Sequence, residues 1–221
     1  MKPKIIFEDA DIVVLDKPSG LQVIPAATKK DRETLTDWLA TTYKEFHIVH
    51  RLDRETSGVM VVARTAAAYE RIKKQFQRRE TKKVYRAFVY GTIPERGTIT
   101  KPIGSSRGGL GPRSAKRAYG VMREAETLYR RVAAGGGASY AEVFPKTGRT
   151  HQVRVHFAAI GHPIIADSLY APGRPHLFGF SRLALHAFSL IFMHPITKKE
   201  VSFEAPLPPD FVAAEQMLKA Q

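Results

Sequence analysis

Residues 50–63 read HRLDRETSGVMVVA, a polar turn that leads directly into a continuous apolar run. Gly58–Ala63 has the length and composition of a buried strand, which places the turn before it at the edge of a sheet. Asp53 lies in that turn, where pockets tend to form. The alternative for Asp53 is a surface ion pair with Arg51 or Arg54, and the residues alone leave both interpretations open.

Shorter patterns on either side predict a mixture of strands and helices. Thr65 can cap the helix that follows the buried strand, and Lys17-Pro18-Ser19-Gly20 ends an early strand. Strands are predicted at 5–7, 12–15, 58–63, 82–90, 126–133, 138–144, 183–192 and 201–203, and helices at 34–43, 66–80, 151–160 and 210–220. Because there is no regular βαβ alternation and no long linker, we predict an α+β fold. We expect a single domain over 1–221, with a mixed or antiparallel sheet and flanking helices.

The chain carries a large and localised positive charge. It has 221 residues, 35 Lys and Arg against 21 Asp and Glu, and a formal net charge of +14. With 43% hydrophobic residues the composition excludes a wholly disordered chain. Residues 51–100 and residues 101–150 each carry a net charge of +7, so the excess lies in the middle of the chain. This distribution favours a polyanionic partner, typically nucleic acid, over a merely solvated face.

Several classes of site are excluded by what the sequence lacks. There is no cysteine, which removes disulfides, thiolate metal sites and a cysteine nucleophile, and fits a reducing cytosol. No P-loop or dinucleotide fingerprint is present, and His151 and His156 would point to different faces of a helix. No apolar stretch resembles a signal peptide or a membrane span. We therefore expect a cytoplasmic protein with no cofactor and no metal.

A second informative stretch, TGRTHQVRVH, covers residues 147–156. Thr150 is a good candidate to cap the helix, and Arg154 lies one turn inside it. A guanidinium on a half-apolar face favours a carboxylate partner, while the alternative is a surface arginine whose head reaches solvent. Upstream, residues 104–117 form a Gly- and Arg-rich segment, predicted as a loop, whose role stays open.

Together these stretches resemble the RluA-type RNA pseudouridine synthases. HRLD with TSG at 50–58 is similar to the signature H-R-L-D-x-x-T-S-G of that family. Further motifs follow in the family's order: IFED at 6–9, VLDKPSGL at 14–21, KVY at 83–85, TGRTHQVRVH at 147–156, GHPI at 161–164 with DSLY at 167–170, RLALHA at 182–187 and APLP at 205–208. Since these motifs begin by Ile5, we expect the catalytic domain only, without the family's frequent N-terminal RNA-binding domain.

The resemblance implies an enzyme that detaches uracil from its ribose at N1 and rejoins it through C5. It makes Asp53 the carboxylate at the ribose–base junction, either as a nucleophile or as the base that removes the 2′ proton. Arg154 would pair with Asp53 and favour its charged form. Tyr85 would stack on the uracil and help to remove the C5 proton, although an ordinary core aromatic is the alternative.

The resemblance also implies that the target uridine is flipped out of a stem-loop in tRNA or large-subunit rRNA. Arg51 would enter the gap and contact neighbouring bases, since a guanidinium plane stacks on bases. Charge alone suggests further RNA contacts, and each could be a bystander. The full set of predicted RNA-binding residues is His50, Arg51, Arg71, Lys74, Arg78, Lys82, Arg107, Arg113, Lys116, Arg117 and Arg149.

Two other functions compete with this one. The first is an RNA-binding or ribosome-assembly factor on the same scaffold. The second is a hydrolase of a glycosidic bond, which usually needs two carboxylates facing one another. Asp53 and Glu55 are close in sequence, but strand-like alternation would point them apart. We expect a monomer that acts on structured RNA without a membrane partner.

Overall fold

The computed structural model describes residues 1–25, 33–105, 113–115 and 119–220, with only the backbone of residues 119 and 120. The chain forms two compact units. The first comprises Met1–Lys83 and Ala187–Pro206, and the second comprises Val84–His186 and Leu207–Gln221. Two strands, β5 (Lys82–Tyr90) and β12 (Leu185–Met193), contribute residues to both units.

The first unit is built on an antiparallel arrangement around one fully buried strand. Its further strands are β1 (Lys4–Glu8), β2 (Ile12–Lys17), β3 (His47–Ile48), β4 (Ser57–Ala63) and β13 (Glu200–Glu204). They lie in the order β1-β2-β4-β12, with β3 paired to β4 and β13 paired to β12. All seven residues of β4 are buried, as its apolar run predicts.

Gly58 explains how β4 can lie so close to its neighbour. Its φ is +118°, which residues with a side chain rarely adopt. A Cβ atom at this position would collide with the backbone of Ala187 on β12. The glycine that ends the predicted turn is therefore required for the packing of the strand that follows.

Two capped helices complete the first unit, α1 (Leu35–Thr42) and α2 (Ala66–Gln77). Thr34 and Asp37 form a capping box at the start of α1, and Thr65 accepts a hydrogen bond from the Ala68 amide at the start of α2. The α2 helix packs on β3 and β4 through an inner face that includes Ile72. The cap predicted at Thr65 is confirmed.

The second unit contains a sheet in the order β5-β11-β10-β6 and a separate sheet in the order β8-β7-β9. The strands are β6 (Arg96–Ile99), β7 (Ile103–Ser105), β8 (Arg113–Ser114), β9 (Tyr119–Arg123), β10 (Thr127–Gly135) and β11 (Ala138–Pro145). The β10–β11 hairpin is confirmed. The prediction of a loop over 104–117 is wrong at 104–105 and 113–114, because Gly104 pairs with Ser114 and Ser105 with Arg113. Residues 106–112, 116 and 117 lie outside the described residues.

The helices of the second unit are α3 (Gln152–Ala159) and α4 (Pro209–Lys219). The α3 helix packs on β10 and β11, and α4 packs on β10. The predicted cap at Thr150 is wrong, since His151 occupies the N-cap position with φ 56° and its side chain makes no capping hydrogen bond. Aromatic rings of Phe88, Tyr140, Phe180 and Phe211 form the centre of the core.

The α+β class and the mostly antiparallel pairing are confirmed. Within the described ranges, no helix has both the length and the apolar character needed to cross a membrane.

Replacing Gly58 by alanine should destabilise the protein strongly. The new methyl group meets the Ala187 backbone, and the φ of +118° is strained for alanine, so we expect a loss of at least about 2 kcal/mol. Urea unfolding followed by circular dichroism measures this loss. The same change at Gly148 adds a methyl group with nothing within 4 Å and should stay within about 0.5 kcal/mol. Equal stability of the two variants would contradict the packing argument.

Candidate active site

Asp53 lies in a tight turn between the buried Leu52 side chain and the buried strand β4. The Thr56 amide donates to the Asp53 carbonyl oxygen over 3.1 Å, which closes the turn. Asp53 itself is half-buried. The turn thus presents a carboxylate that is partly removed from water on a backbone fixed at both ends.

The two surface ion pairs considered for Asp53 are not formed. The Arg54 guanidinium pairs with Glu55, with 2.8 Å between Nη2 and Oε1. Arg51 is exposed and makes no hydrogen bond or ion pair with any described residue. Asp53 as an acid at the edge of the sheet stays a prediction, and Arg51 is available to a ligand.

Lys17 restrains the Asp53 turn through hydrogen bonds. The sequence analysis did not identify this role of Lys17. Its side chain is fully buried, and Nζ donates to the carbonyl oxygens of Pro18, Leu21 and Arg54 over 2.9, 2.9 and 3.1 Å. The Gly20 amide also donates to the Arg54 carbonyl over 2.8 Å. The residue after Asp53 is thus tied to the segment that follows β2.

A third hydrogen bond between the two segments comes from Ser19, whose hydroxyl donates to the Glu55 carbonyl oxygen over 2.6 Å. The motifs at 14–21 and 50–58 therefore form one hydrogen-bonded assembly in the first unit. The sequence signal was a lysine directly before Pro18, which was interpreted only as the end of a strand. A lysine that ends a buried strand is itself a candidate for burial with its donors satisfied.

His50 is held by the protein. Its Nε2 accepts a hydrogen bond from the Val61 amide over 3.1 Å, and its ring stacks on Phe76 with 4.6 Å between centroids. Burial lowers the pKa of His50 to about 3, and the charge of Lys83 acts in the same direction. Burial also lowers the pKa of Lys83 to about 8. His50 therefore stays neutral and serves as an acceptor that fixes the start of the motif against β4.

In the second unit, part of the stretch 147–156 forms a buried hydrogen-bond network that stabilises the fold. Gln152 accepts from the Thr147 hydroxyl over 2.6 Å and donates to the Thr127 hydroxyl oxygen over 2.9 Å. The Thr127 hydroxyl lies 2.9 Å from His156 Nδ1, and Nε2 of His156 donates to the Lys101 carbonyl over 2.8 Å. These four side chains satisfy one another in the core.

Arg154 is buried, so the surface interpretation is wrong. Its exposed fraction is 1%, and its Nε and Nη2 donate to the two carboxylate oxygens of Asp167, each over 2.8 Å. The residues alone predicted a carboxylate partner without naming it, and the resemblance named Asp53, a pairing that stays a prediction; Asp167 was not named. A usable signal was present, since Asp167 is the only acidic residue between Glu142 and Glu200.

Tyr85 and Arg149 also lie in the second unit. Tyr85 is half-buried on β5 opposite Val143, and it packs against the edge of the core cluster. Arg149 is half-buried, and its Nε donates to the Glu124 carbonyl over 3.0 Å.

The remaining predicted RNA-binding residues differ in how they are held. Arg71 donates to the Pro195 carbonyl over 2.6 Å, and Lys82 pairs with Glu200 over 3.2 Å. Arg113 donates to the Ser105 hydroxyl over 3.0 Å. Lys74 is exposed without a side-chain partner among the described residues, and Arg78 approaches Glu80 only at 3.9 Å. The other three, Arg107, Lys116 and Arg117, lie outside the described residues.

The described part of the chain brings no three His, Asp or Glu side chains into an arrangement that could hold a metal ion.

A family model described as RNA pseudouridylate synthase matches residues 11–159. The chain belongs to this family. The match includes both the Asp53 turn and the stretch with Arg154.

Individual relatives agree with this family. A ribosomal large subunit pseudouridine synthase D from Pseudomonas aeruginosa is 37% identical, covering 98% of this chain and 72% of the relative. A dual-specificity RNA pseudouridine synthase from Vibrio vulnificus is 39% identical, covering 87% of this chain and 78% of the relative. The solved structure of human RNA pseudouridylate synthase domain containing 4 has a TM-score of 0.79 and 26% identity, covering 98% of this chain and 93% of that one. These matches confirm the predicted family and support a pseudouridine synthase over a binding factor.

The lowered pKa of His50 should make stability depend on pH. In the folded protein its pKa is about 3, while the unfolded chain takes up the proton near pH 6.5. Stability is therefore present above pH 6.5 and is lost as the pH falls towards 3. Glutamine at this position can still accept from Val61 but does not titrate. We expect His50→Gln to flatten the fall in unfolding free energy between pH 6.5 and 4 by at most about 1.4 kcal/mol per pH unit.

Urea unfolding of both proteins at several pH values in that range measures the two slopes. Because all other titrating groups are shared, the difference between the slopes reports His50. Identical slopes would show that the pKa of His50 is the same in the folded and unfolded protein, which would contradict the prediction.

Proposed function

We propose that this protein isomerises uridine to pseudouridine in structured RNA, with Asp53 as the carboxylate at the ribose–base junction. The observation that carries the proposal is a family match that spans a half-buried acid in a turn fixed by Lys17. In the reaction the N1–C1′ bond breaks, the C5–C1′ bond forms, and the proton on C5 is replaced by one on N1. Since nothing is added or removed, the reaction requires no cofactor.

Asp53 must be ionised for either route to this product. As a nucleophile it attacks the sugar or the base, and as a base it removes the 2′ proton to give a glycal. A site that is partly closed to water also protects reactive intermediates from hydrolysis. The half-buried position of Asp53 supports both routes.

The roles of other residues follow from the same resemblance. Tyr85 stacks on the uracil and takes part in removing the C5 proton, and Arg154 supplies a fixed positive charge. Arg51 enters the space that the flipped uridine leaves. Its exposure and its lack of partners among the described residues support this role, because a guanidinium that is already engaged would have to break those contacts first.

The substrate that we propose is a stem-loop of tRNA or of large-subunit rRNA. The excess charge supports RNA, and relatives named for the ribosomal large subunit and for dual specificity support these two classes. The protein would act as one catalytic unit and as a monomer. A cytoplasmic location is the prediction that follows from the absence of cysteine.

Asp53→Asn should abolish pseudouridine formation, by at least about 10³-fold, while RNA affinity changes by less than about threefold. The amide keeps the shape of the side chain but cannot act as a nucleophile or a base. Glu55→Gln is the matched control, since it neutralises a carboxylate two residues from Asp53 that pairs with Arg54, and it should keep full activity. Pseudouridine is measured by mapping tRNA and rRNA from cells with and without each variant.

Full binding without pseudouridine on every stem-loop tried with the wild-type protein would favour the binding-factor function instead. Release of free uracil would identify a hydrolase. An isomerase releases nothing, so the mass of the RNA stays unchanged.

RNA binding should weaken steeply with added salt, by at least about tenfold between 50 and 200 mM, as phosphate contacts release counterions. Lys74→Gln should reduce the slope of log affinity against log salt by about 1. Lys73→Gln on the same helix is the comparison and should change the slope less, because the neighbouring Glu70 at 3.2 Å offsets part of the charge of Lys73. Filter binding with one stem-loop measures both slopes, and an affinity independent of salt would contradict the electrostatic interpretation.

A further inference from the structure

Arg154 is enclosed by a carboxylate and an aromatic ring. The two hydrogen bonds to Asp167 use Nε and Nη2, so the guanidinium lies side-on to the carboxylate. The Tyr170 ring centroid lies 5.4 Å from Cζ of Arg154. A bidentate pair fixes the plane of the guanidinium, and the remaining N–H groups of Nη1 and Nη2 then point in one defined direction.

The Asp167 carboxylate is itself fixed by its own turn. Its Oδ1 accepts from the amides of Leu169 and Tyr170 over 3.0 and 3.1 Å. The side chain has no exposed surface. The preceding residue, Ala166, has φ 56°, a left-handed conformation that is unfavourable for alanine. The chain thus adopts a strained backbone at the point where it delivers this carboxylate to Arg154.

Tyr170 joins this pair to the small sheet of the second unit. Its hydroxyl oxygen accepts from the Arg113 amide on β8 over 3.0 Å and lies 3.0 Å from His151 Nδ1 at the start of α3. His151 is also left-handed, with φ 56°. One tyrosine therefore contacts the guanidinium, the start of its helix and the strand that carries Arg113.

We propose that Asp167 and Tyr170 are positioning residues that fix the direction of the Arg154 guanidinium for the reaction. This inference rests on the proposed function. Asp167 sets the plane of the guanidinium and the Tyr170 ring packs against it, so that the cation is in place before the substrate arrives. Preorganised charge of this kind needs no reorientation during the reaction.

A double-mutant cycle, measured as single-turnover rates, tests the proposal. Asp167→Asn should lower the single-turnover rate at saturating RNA about 10²-fold, the loss that a small misplacement of a reacting group causes. RNA affinity should change by less than about threefold. In an Arg154→Ala background the same change should cost almost nothing more, because Asp167 acts only through Arg154.

Asp210→Asn is the matched control. Asp210 accepts from Arg182 in the same bidentate way, over 2.7 and 2.9 Å, and from the amide of Phe211. Its loss should leave the rate within about twofold of wild type, because Asp210 pairs with Arg182 and not with Arg154. If Asp167→Asn does not fold, Tyr170→Leu takes its place in the cycle, since Tyr170 is only half-buried.

Arginine NMR gives a readout that does not depend on turnover. The Nε–H signal of Arg154 should be protected from exchange in the wild type and in Asp210→Asn, and should lose protection in Asp167→Asn or Tyr170→Leu. Three results would each overturn the proposal. The rate effects of Asp167→Asn and Arg154→Ala could multiply in the double variant, or Asp167→Asn could lower the rate no more than Asp210→Asn does. The third is an unprotected Nε–H of Arg154 in the wild type. A wild-type protein that forms no pseudouridine contradicts the proposed function, while the NMR signal still decides whether Arg154 is held.

Discussion

The candidate site depends on the hydrogen bonds that the buried ammonium group of Lys17 donates. Burying a charge is unfavourable unless its donors are satisfied, and three carbonyl oxygens surround this one. Those carbonyls belong to the segment after β2 and to the residue after Asp53, so satisfying Lys17 fixes both. The hydrogen bonds that make burial of the lysine tolerable also make the turn rigid. The carboxylate that the reaction needs, Asp53, lies on that turn.

The second unit follows the same physical rule with neutral groups. Thr147, Gln152 and His156 fill a core with side chains that are polar, and each finds its partner inside the network. A satisfied network allows only one arrangement of donors and acceptors, because any other would leave a buried group unpaired. This explains why a polar stretch can be buried. Arg149 and Arg154 belong to the same stretch but take no part in this network.

Much of the fold could be predicted from local patterns. Strand β4 followed from an apolar run and α2 from a stripe and a cap, because both signals lie within a few residues. What failed depended on distant or unusual geometry. The N-cap of α3 at His151 has a left-handed backbone that local patterns do not reveal, and β8 exists only because β7 pairs with it. The Asp53 and Arg154 sites were recognisable as motifs, whereas Lys17 and Asp167 act through partners that periodicity does not reveal.

The excess charge is less uniform as a binding surface than a count of cations suggests. Arg71 is engaged by a backbone carbonyl and Lys82 by Glu200, so each must give up a contact before it meets a phosphate. Arg51 and Lys74 are exposed and have no such partner among the described residues. An exposed ion pair is worth little, since water competes for both charges, and Lys82 can therefore exchange Glu200 for RNA at low cost. Arg71 differs, because its donor is fixed against the turn after β12. The binding energy should therefore come from the cations that are free or weakly paired, and Arg71 belongs to the fold.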